Sequence, residues 1–192
     1  MTLLNDYLPI GVTILDASVL INLLGCGQCV AVLEGLGEKC LMEERTLKEV
    51  CKHPIPGFDH AETLRILRSS GTLEEVRMTD EEYETYLTFV SGPLGTRLDD
   101  GESAALAISR RGASIIIDER KARRRIVADS TFASGVAVAS TLQLMLTSGH
   151  RQAWTVRKIQ ELVNSARQHA RMGVPKEDSA LFEKLMKFEE RT

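Results

Sequence analysis

The sequence predicts an α/β fold with a mostly parallel central sheet, and three observations carry that prediction. Short runs rich in Val and Ile alternate with longer segments of helical period, the rhythm of parallel strands joined by crossover helices. The clearest run, Ala113-Ser114-Ile115-Ile116-Ile117-Asp118, is apolar without alternation, as a strand covered on both faces must be. A chain of 192 residues, 43% of them hydrophobic, also holds enough apolar side chains for a sizeable core.

The first strand is expected over residues 12–15 and ends at Asp16, with Ser18 placed to cap a helix through Leu24. Helical period continues over 30–36 before a second strand near 39–42, and 43–50 reads as the next helix. His53-Pro54-Ile55-Pro56-Gly57 breaks it as a loop. Residues 61–68 are predicted helical, 73–77 extended, and 80–90 helical with Thr79 as cap. Ser91-Gly92-Pro93-Leu94-Gly95 then interrupts the chain ahead of an Ala-rich helix that starts at Gly101 and stops at Arg110-Arg111-Gly112. The uncharged run 131–149 approaches the length of a membrane span, but its Ser, Thr and Gln residues favour a buried strand followed by a buried helix. Two amphipathic stretches, 156–172 and 176–189, flank Gly173-Val174-Pro175. The chain therefore divides into a domain over 1–150 and a C-terminal helical extension over 151–192, an appendage or an oligomer surface.

Composition excludes several classes. With 27% charged residues the chain is not of the disordered type, and a formal net charge of -3 gives no global attraction to nucleic acid. Such a partner needs a local patch, which Arg120-Lys121-Ala122-Arg123-Arg124-Arg125 offers. The N-terminal stretch lacks the basic start of a secretory signal, so a cytoplasmic protein without membrane contact is expected. Cys26-Gly27-Gln28-Cys29 has the spacing of half a zinc site or of a redox pair. Cys40 and Cys51 stand alone, however, and no tight His pair accompanies them, so reduced and mostly buried thiols are expected.

Asp99-Asp100-Gly101-Glu102 sets three carboxylates within four residues. They fit a helix start, because Asp99 and Glu102 have capping-box spacing and acids suit the positive end of a helix macrodipole. They also fit a metal site. The carboxyl ends of parallel strands share one rim where ligands bind, so Asp16 and Asp118 converge there. A helix that starts at Gly101 and turns directly into the Ile115 strand runs back antiparallel to it and returns Glu102 to the same rim. Glu102 lies above Ala105, Leu106 and Ser109 on a small, apolar face, and so points inward, where a carboxylate without a cation or donor is costly. Asp99 and Asp100 stay in the turn as caps, with Asp100 a reserve ligand. A hard divalent cation would relieve the mutual repulsion of such acids; from the residues alone, both uses stay open.

Four segments in this order resemble the acidic motifs of PIN-domain ribonucleases: Ile14-Leu15-Asp16-Ala17-Ser18-Val19-Leu20-Ile21, Lys48-Glu49-Val50, Gly101-Glu102-Ser103-Ala104-Ala105-Leu106-Ala107 and Ile115-Ile116-Ile117-Asp118-Glu119-Arg120. The GE motif resembles the prokaryotic toxin-like subgroup, to whose next strand and helix entry Gly135-Val136-Ala137-Val138-Ala139-Ser140-Thr141-Leu142 is similar. The resemblance implies a PIN-like three-layer sandwich with C-terminal helices. It implies that Asp16, Glu49, Glu102 and Asp118 are catalytic, that Asp16, Glu102 and Asp118 hold Mg²⁺ or Mn²⁺, and that Ser18 assists ligand orientation and substrate binding. Glu49 enters through the resemblance alone, since an isolated Glu in a helix is ordinarily solvated.

The implied reaction is hydrolysis of an RNA phosphodiester by a metal-bound water, leaving a 3′-hydroxyl and a 5′-phosphate. The implied setting is a homodimeric toxin, or a relative of one, held by an antitoxin protein. Ile116 departs from the Ser or Thr that many PIN domains carry two residues before the last aspartate, which removes one polar contact. The alternative is therefore a catalytically inert PIN-like module that binds RNA or protein. Arg120, Arg123 and Arg124 follow Asp118 closely enough to hold RNA phosphates, their other use being a solvated helix face. Glu119 acts beside Asp118 or pairs with a neighbouring arginine.

Overall fold

Alternation along short strands decides how this chain layers. The computed structural model describes residues 4–52, 55–93, 95–128 and 135–188. Strands β1 (Thr13–Leu15), β2 (Cys40–Glu43), β3 (Leu73–Val76), β4 (Ser114–Ile116) and β5 (Ala137–Ala139) form one sheet in the order β3-β2-β1-β4-β5. Every pairing is parallel. Successive side chains of a strand point to opposite faces, and the apolar residues divide accordingly. Ile14, Leu41 and Ile115 meet Phe89 of α5 (Asp80–Val90), Leu106 of α6 (Asp100–Ala107) and Ile126 of α7 (Arg120–Ala128). Leu15, Met42 and Ile116 face the other way, into a cluster with Leu20 of α1 (Ala17–Gly25), Leu33 of α2 (Cys29–Glu34) and Leu144 of α8 (Thr141–Arg151). Leu47 of α3 (Glu44–Lys52) and Leu67 of α4 (His60–Ser69) join this second cluster. The result is the three-layer α/β sandwich that the strand and helix rhythm predicts.

Local capping signals place most helix starts. Thr79 closes a capping box with Glu82 at the head of α5, as expected, and Ser140 does the same with Gln143 at α8. Asp16 rather than Ser18 caps α1, because its extended backbone turns the carboxylate onto the Ser18 N–H. The second strand runs on to Glu43, whose buried carboxylate accepts from the Arg45 N–H at 2.6 Å and so serves the head of α3. Of the expected loop, His53 and Pro54 lie outside the described residues, as do Leu94, residues 131–134 of the uncharged run and Glu189. The described part of that run forms β5 and α8, and no described helix is long and apolar enough to cross a membrane.

The C-terminal stretch forms α9 (Val156–His169) and α10 (Ser179–Met186). Ile159, Val163 and Leu185 belong to the same apolar cluster as Leu15 and Leu20. Where α9 ends it touches the end of α1: a Cβ on Gly25 would lie 2.6 Å from the Ala170 Cβ, and Ser165 Oγ donates to the Gly25 carbonyl at 3.0 Å. At the far end of α8, Arg151 gathers the N-terminal segment. Its guanidinium meets Asp6 at 2.9 Å and Glu38 at 2.8 Å and donates to the carbonyls of Leu36 and Leu8.

Removing that fork leaves two carbonyls and two carboxylates without their shared donor. Arg151→Ala is expected to destabilise the fold by about 2–3 kcal/mol, a fall in melting temperature of roughly 5–10 °C, with Arg151→Lys recovering only part of it. Differential scanning calorimetry checks this.

Candidate active site

The sheet order reverses between β1 and β4, and in parallel sheets the crevice at such a switch point opens at the carboxyl rim. Leu15 pairs with Ile116, and the Asp16 N–H donates to the Ile116 carbonyl at 3.2 Å, so Asp16 and Asp118 leave the sheet side by side. Asp16 is 3% exposed. Its Oδ2 accepts from Ser18 Oγ at 2.6 Å and from the Ser18 N–H at 3.3 Å. Burial pushes its carboxyl up to about 6, against the hydrogen bonds from Ser18 and the Ala17 amide.

Asp118 is half-buried and takes its donors from two helices. Thr141 donates its N–H to Oδ1 at 2.8 Å and its hydroxyl to Oδ2 at 2.6 Å, while Asn22 Nδ2 donates to Oδ2 at 3.0 Å. Two bonds saturate Oδ2 and leave Oδ1 one lone pair. Burial raises the carboxyl above its ordinary value, partly offset by Thr141, Arg123 and Asn22. Ile116 is fully buried against the α1 face of the sheet, and the polar contacts to Asp118 come from Asn22 and Thr141 instead. Sequence reading missed both; a Thr directly after a helix cap was the available signal.

Glu102 has no such support. The Asp99 carboxylate caps α6 by accepting from the Glu102 N–H at 2.8 Å. The Glu102 carboxylate accepts no hydrogen bond among the described residues, so the capping box suggested by the spacing does not close. It is 8% exposed. Burial, then the charges of Asp99, Asp16 and Glu119, push it up to about 8. Asp16 is among the charges that raise Glu102 most.

Glu49 of α3 comes to the same place through a missing side chain. A Cβ on Gly101 would lie 2.5 Å from Glu49 Oε2, so the glycine lets that carboxylate rest on the first turn of α6. Asp16, Glu49, Glu102 and Asp118 thus line one cavity of about 590 Å³, with Ser18 and Asn22 at its wall. Asp99, Glu119 and Arg120 stand at its edge. Arg123 spends one guanidinium N–H on the Ile117 carbonyl at 3.1 Å, and Arg124 lines an adjoining cavity rather than this one. Asp100, the reserve ligand, accepts from the Tyr86 hydroxyl of α5 at 3.0 Å and is not among the residues lining the cavity. Arg171 and Lys176 of the C-terminal segment do line it, and nothing local in the sequence marks them. The thiols play no part: Cys26, Cys29 and Cys40 are buried and burial pushes them up, while Cys51 is exposed.

Among the described residues, no group of three His, Cys, Asp or Glu side chains forms a ready-made metal cage. The donor chemistry nonetheless suits a hard divalent cation. Six of the lining side chains are carboxylates, and Glu102 is buried with like charges around it and no hydrogen-bond donor among the described residues. Mg²⁺ is commonly held by one or two carboxylates, with water and substrate phosphate filling its other positions. Asp16 and Glu102 could supply that pair.

Both carboxyls are raised in the folded chain, to about 6 and about 8, so folded protein keeps protons that the unfolded chain has released. Their protonated form stabilises fully below the unfolded values, and that stability is lost as pH rises through the folded ones. Without divalent ions, the melting temperature is therefore expected to fall as pH rises from about 4 to 8. Glu102→Gln should flatten that slope and raise the melting temperature at pH 8 by roughly 2–6 °C. Thermal melts in chelator across this range provide the measurement.

The family model DUF3368, described as a PIN domain, matches residues 12–182. No curated protein and no solved structure matches the chain significantly. The matched span opens on β1, takes in all six acids that line the cavity and reaches into α10. Covering residues 12–182 of 192, it settles membership: the chain belongs to the PIN-domain family.

Proposed function

We propose that this PIN-domain protein is a metal-dependent endoribonuclease that hydrolyses RNA phosphodiester bonds with Mg²⁺ or Mn²⁺ at Asp16 and Glu102. Asp118 and Glu49 complete the catalytic set. The observation that carries the reading is Glu102: a nearly buried carboxylate with no hydrogen-bond donor among the described residues, facing a cavity that other acids share. Such a group is costly unless a cation meets it. Bound there, a divalent cation supplies Lewis acidity that activates water and offsets charge on the phosphate.

The chain's own groups do the positioning. Ser18 fixes the Asp16 carboxylate through two bonds to one oxygen at the cavity wall. Thr141 and Asn22 hold Asp118 so that its remaining Oδ1 lone pair is available to orient a water. Glu49 is set on the far wall by its seat over Gly101. Arg120, exposed at the cavity edge, meets a phosphate directly, and Arg124 takes one farther along, whereas Arg123 supports the end of β4.

On the GE motif, the proposal extends to a cytoplasmic homodimer acting as a toxin or its relative, with an antitoxin protein as partner. The 1–150 domain carries the four acids, and the extension over 151–192 adds Arg171 and Lys176 to the cavity wall. Single-stranded RNA incubated with the protein and Mn²⁺ is expected to yield fragments ending in 3′-hydroxyl and 5′-phosphate. Chelator should abolish cleavage, and Asp16→Asn should lower it by at least about 100-fold. Cleavage that survives chelator, or is equal in the variant, overturns the reading. No Mn²⁺ binding by calorimetry would favour the inert RNA- or protein-binding module.

Gly101→Ala offers a sharper probe of Glu49. The new methyl group displaces only the flexible end of Glu49, and Ala is the better helix former by about 1 kcal/mol, so the melting temperature should hold or rise. RNA cleavage should nonetheless fall by about tenfold or more. Parallel melts and cleavage assays separate the two effects.

A further inference from the structure

The acidic cavity does not end at its acids. On one side it continues into a second cavity of about 540 Å³, lined by Lys52, His169 and Arg171 and sharing Ser18, Glu49 and Arg171 with the first. On the other it continues through Glu119 and Arg120 into a third, of about 360 Å³, lined by Lys121, Arg124 and Arg125. The two outer cavities have no lining residue in common, and each shares residues with the central one. Together they make one groove, acidic in the middle and basic at both ends.

Lys52 and Arg171 are available to a ligand: among the described residues, neither side chain forms an ion pair or hydrogen bond. Arg171 is also held firmly. Its backbone has φ 59°, in the left-handed region that a residue with a Cβ rarely adopts. The neighbours enforce it, because Met172 is 4% exposed with its N–H donating to the Ala166 carbonyl at 3.3 Å, and Ala170 is packed on Gly25. The packed neighbours therefore fix where Arg171 leaves the backbone, and its side chain lines both the central and the second cavity. With a net charge of -3, the chain must draw a polyanion by such local cations. Asp16 and Glu102 are 3% and 8% exposed, so a phosphate has to descend to reach them, which a flexible single strand does more readily than a stiff duplex.

We propose that Lys52 and Arg171 hold phosphates of a single-stranded RNA on one side of the acidic centre while Arg120 and Arg124 hold them on the other. The strand then crosses the centre with both flanks bound, which places an internal bond, rather than a chain end, over the acids. This inference rests on the RNA-cleaving reading of the central cavity.

The test is binding of a short fluorescent single-stranded RNA to the full chain in chelator, followed by anisotropy over a range of salt. The wild type should bind with a strong salt dependence. Lys52→Gln plus Arg171→Gln should weaken binding about tenfold or more and reduce the slope of log affinity against log salt by roughly 0.7 for each cation removed. Lys52→Gln alone, at the exposed end of α3, should give about half of that change, and Arg171→Lys should keep the slope. An unchanged slope and affinity in the double variant overturns this arm of the groove, as does an Arg171→Lys variant as impaired as Arg171→Gln. Tighter binding of a duplex of the same sequence overturns the single-strand assignment. If RNA binding shows the expected losses but Mn²⁺ brings no cleavage, the catalytic reading falls and the groove stands; cleavage with unaffected binding reverses that outcome.

Discussion

Leu15 and Ile116 face each other in adjacent parallel strands, and the geometry of the cavity follows from that register. A shift of one residue would exchange Ile14 and Ile115 with Leu15 and Ile116 between the two layers, so each side chain would meet the helices that now pack on its neighbour. The pairing fixes which strand residues meet which layer. It sets Asp16 one residue past β1 and Asp118 two past β4, at the place where the strand order reverses. The helix after β1, α1, and the helix after β5, α8, start at the rim and bring Asn22 and Thr141 to Asp118.

Donors are distributed unevenly over the acids, and that unevenness separates their roles. Asp16 and Asp118 both cap or tie helix starts, so each has bonds that fix its orientation and oppose the effect of burial. Glu102 is fixed only by its place on α6, whose cap Asp99 adds another negative charge beside it. Glu102 is accordingly pushed up further than Asp16, to about 8 against about 6. Glu43 shows the contrast: it too ends a strand and is buried, but its carboxylate serves the amide of Arg45 and lies outside the cavity.

The C-terminal helices are bound into this arrangement rather than set beside it. Close contact between Gly25 and Ala170 brings the end of α9 to the end of α1, and the chain beyond it passes along the cavity. A segment that shares the core cluster through Ile159 and Val163 can present Arg171 in a backbone conformation that an isolated loop would not retain.

What the sequence determined by itself was local. Strand and helix rhythm, the caps at Thr79 and Asp99, and the inward phase of Glu102 all follow from residues within a turn or two of one another. The convergence of Asp16 and Asp118 was also legible, because a parallel sheet collects its carboxyl ends on one rim. Tertiary structure decided the rest. Seating Glu49 over Gly101, pairing Asp118 with Asn22 and Thr141, and placing Arg171 where the central and second cavities meet each require segments distant in sequence to be packed together. Periodicity and capping report what a segment does with its own backbone. Which side chain meets another across the layers is settled only when the core closes around both.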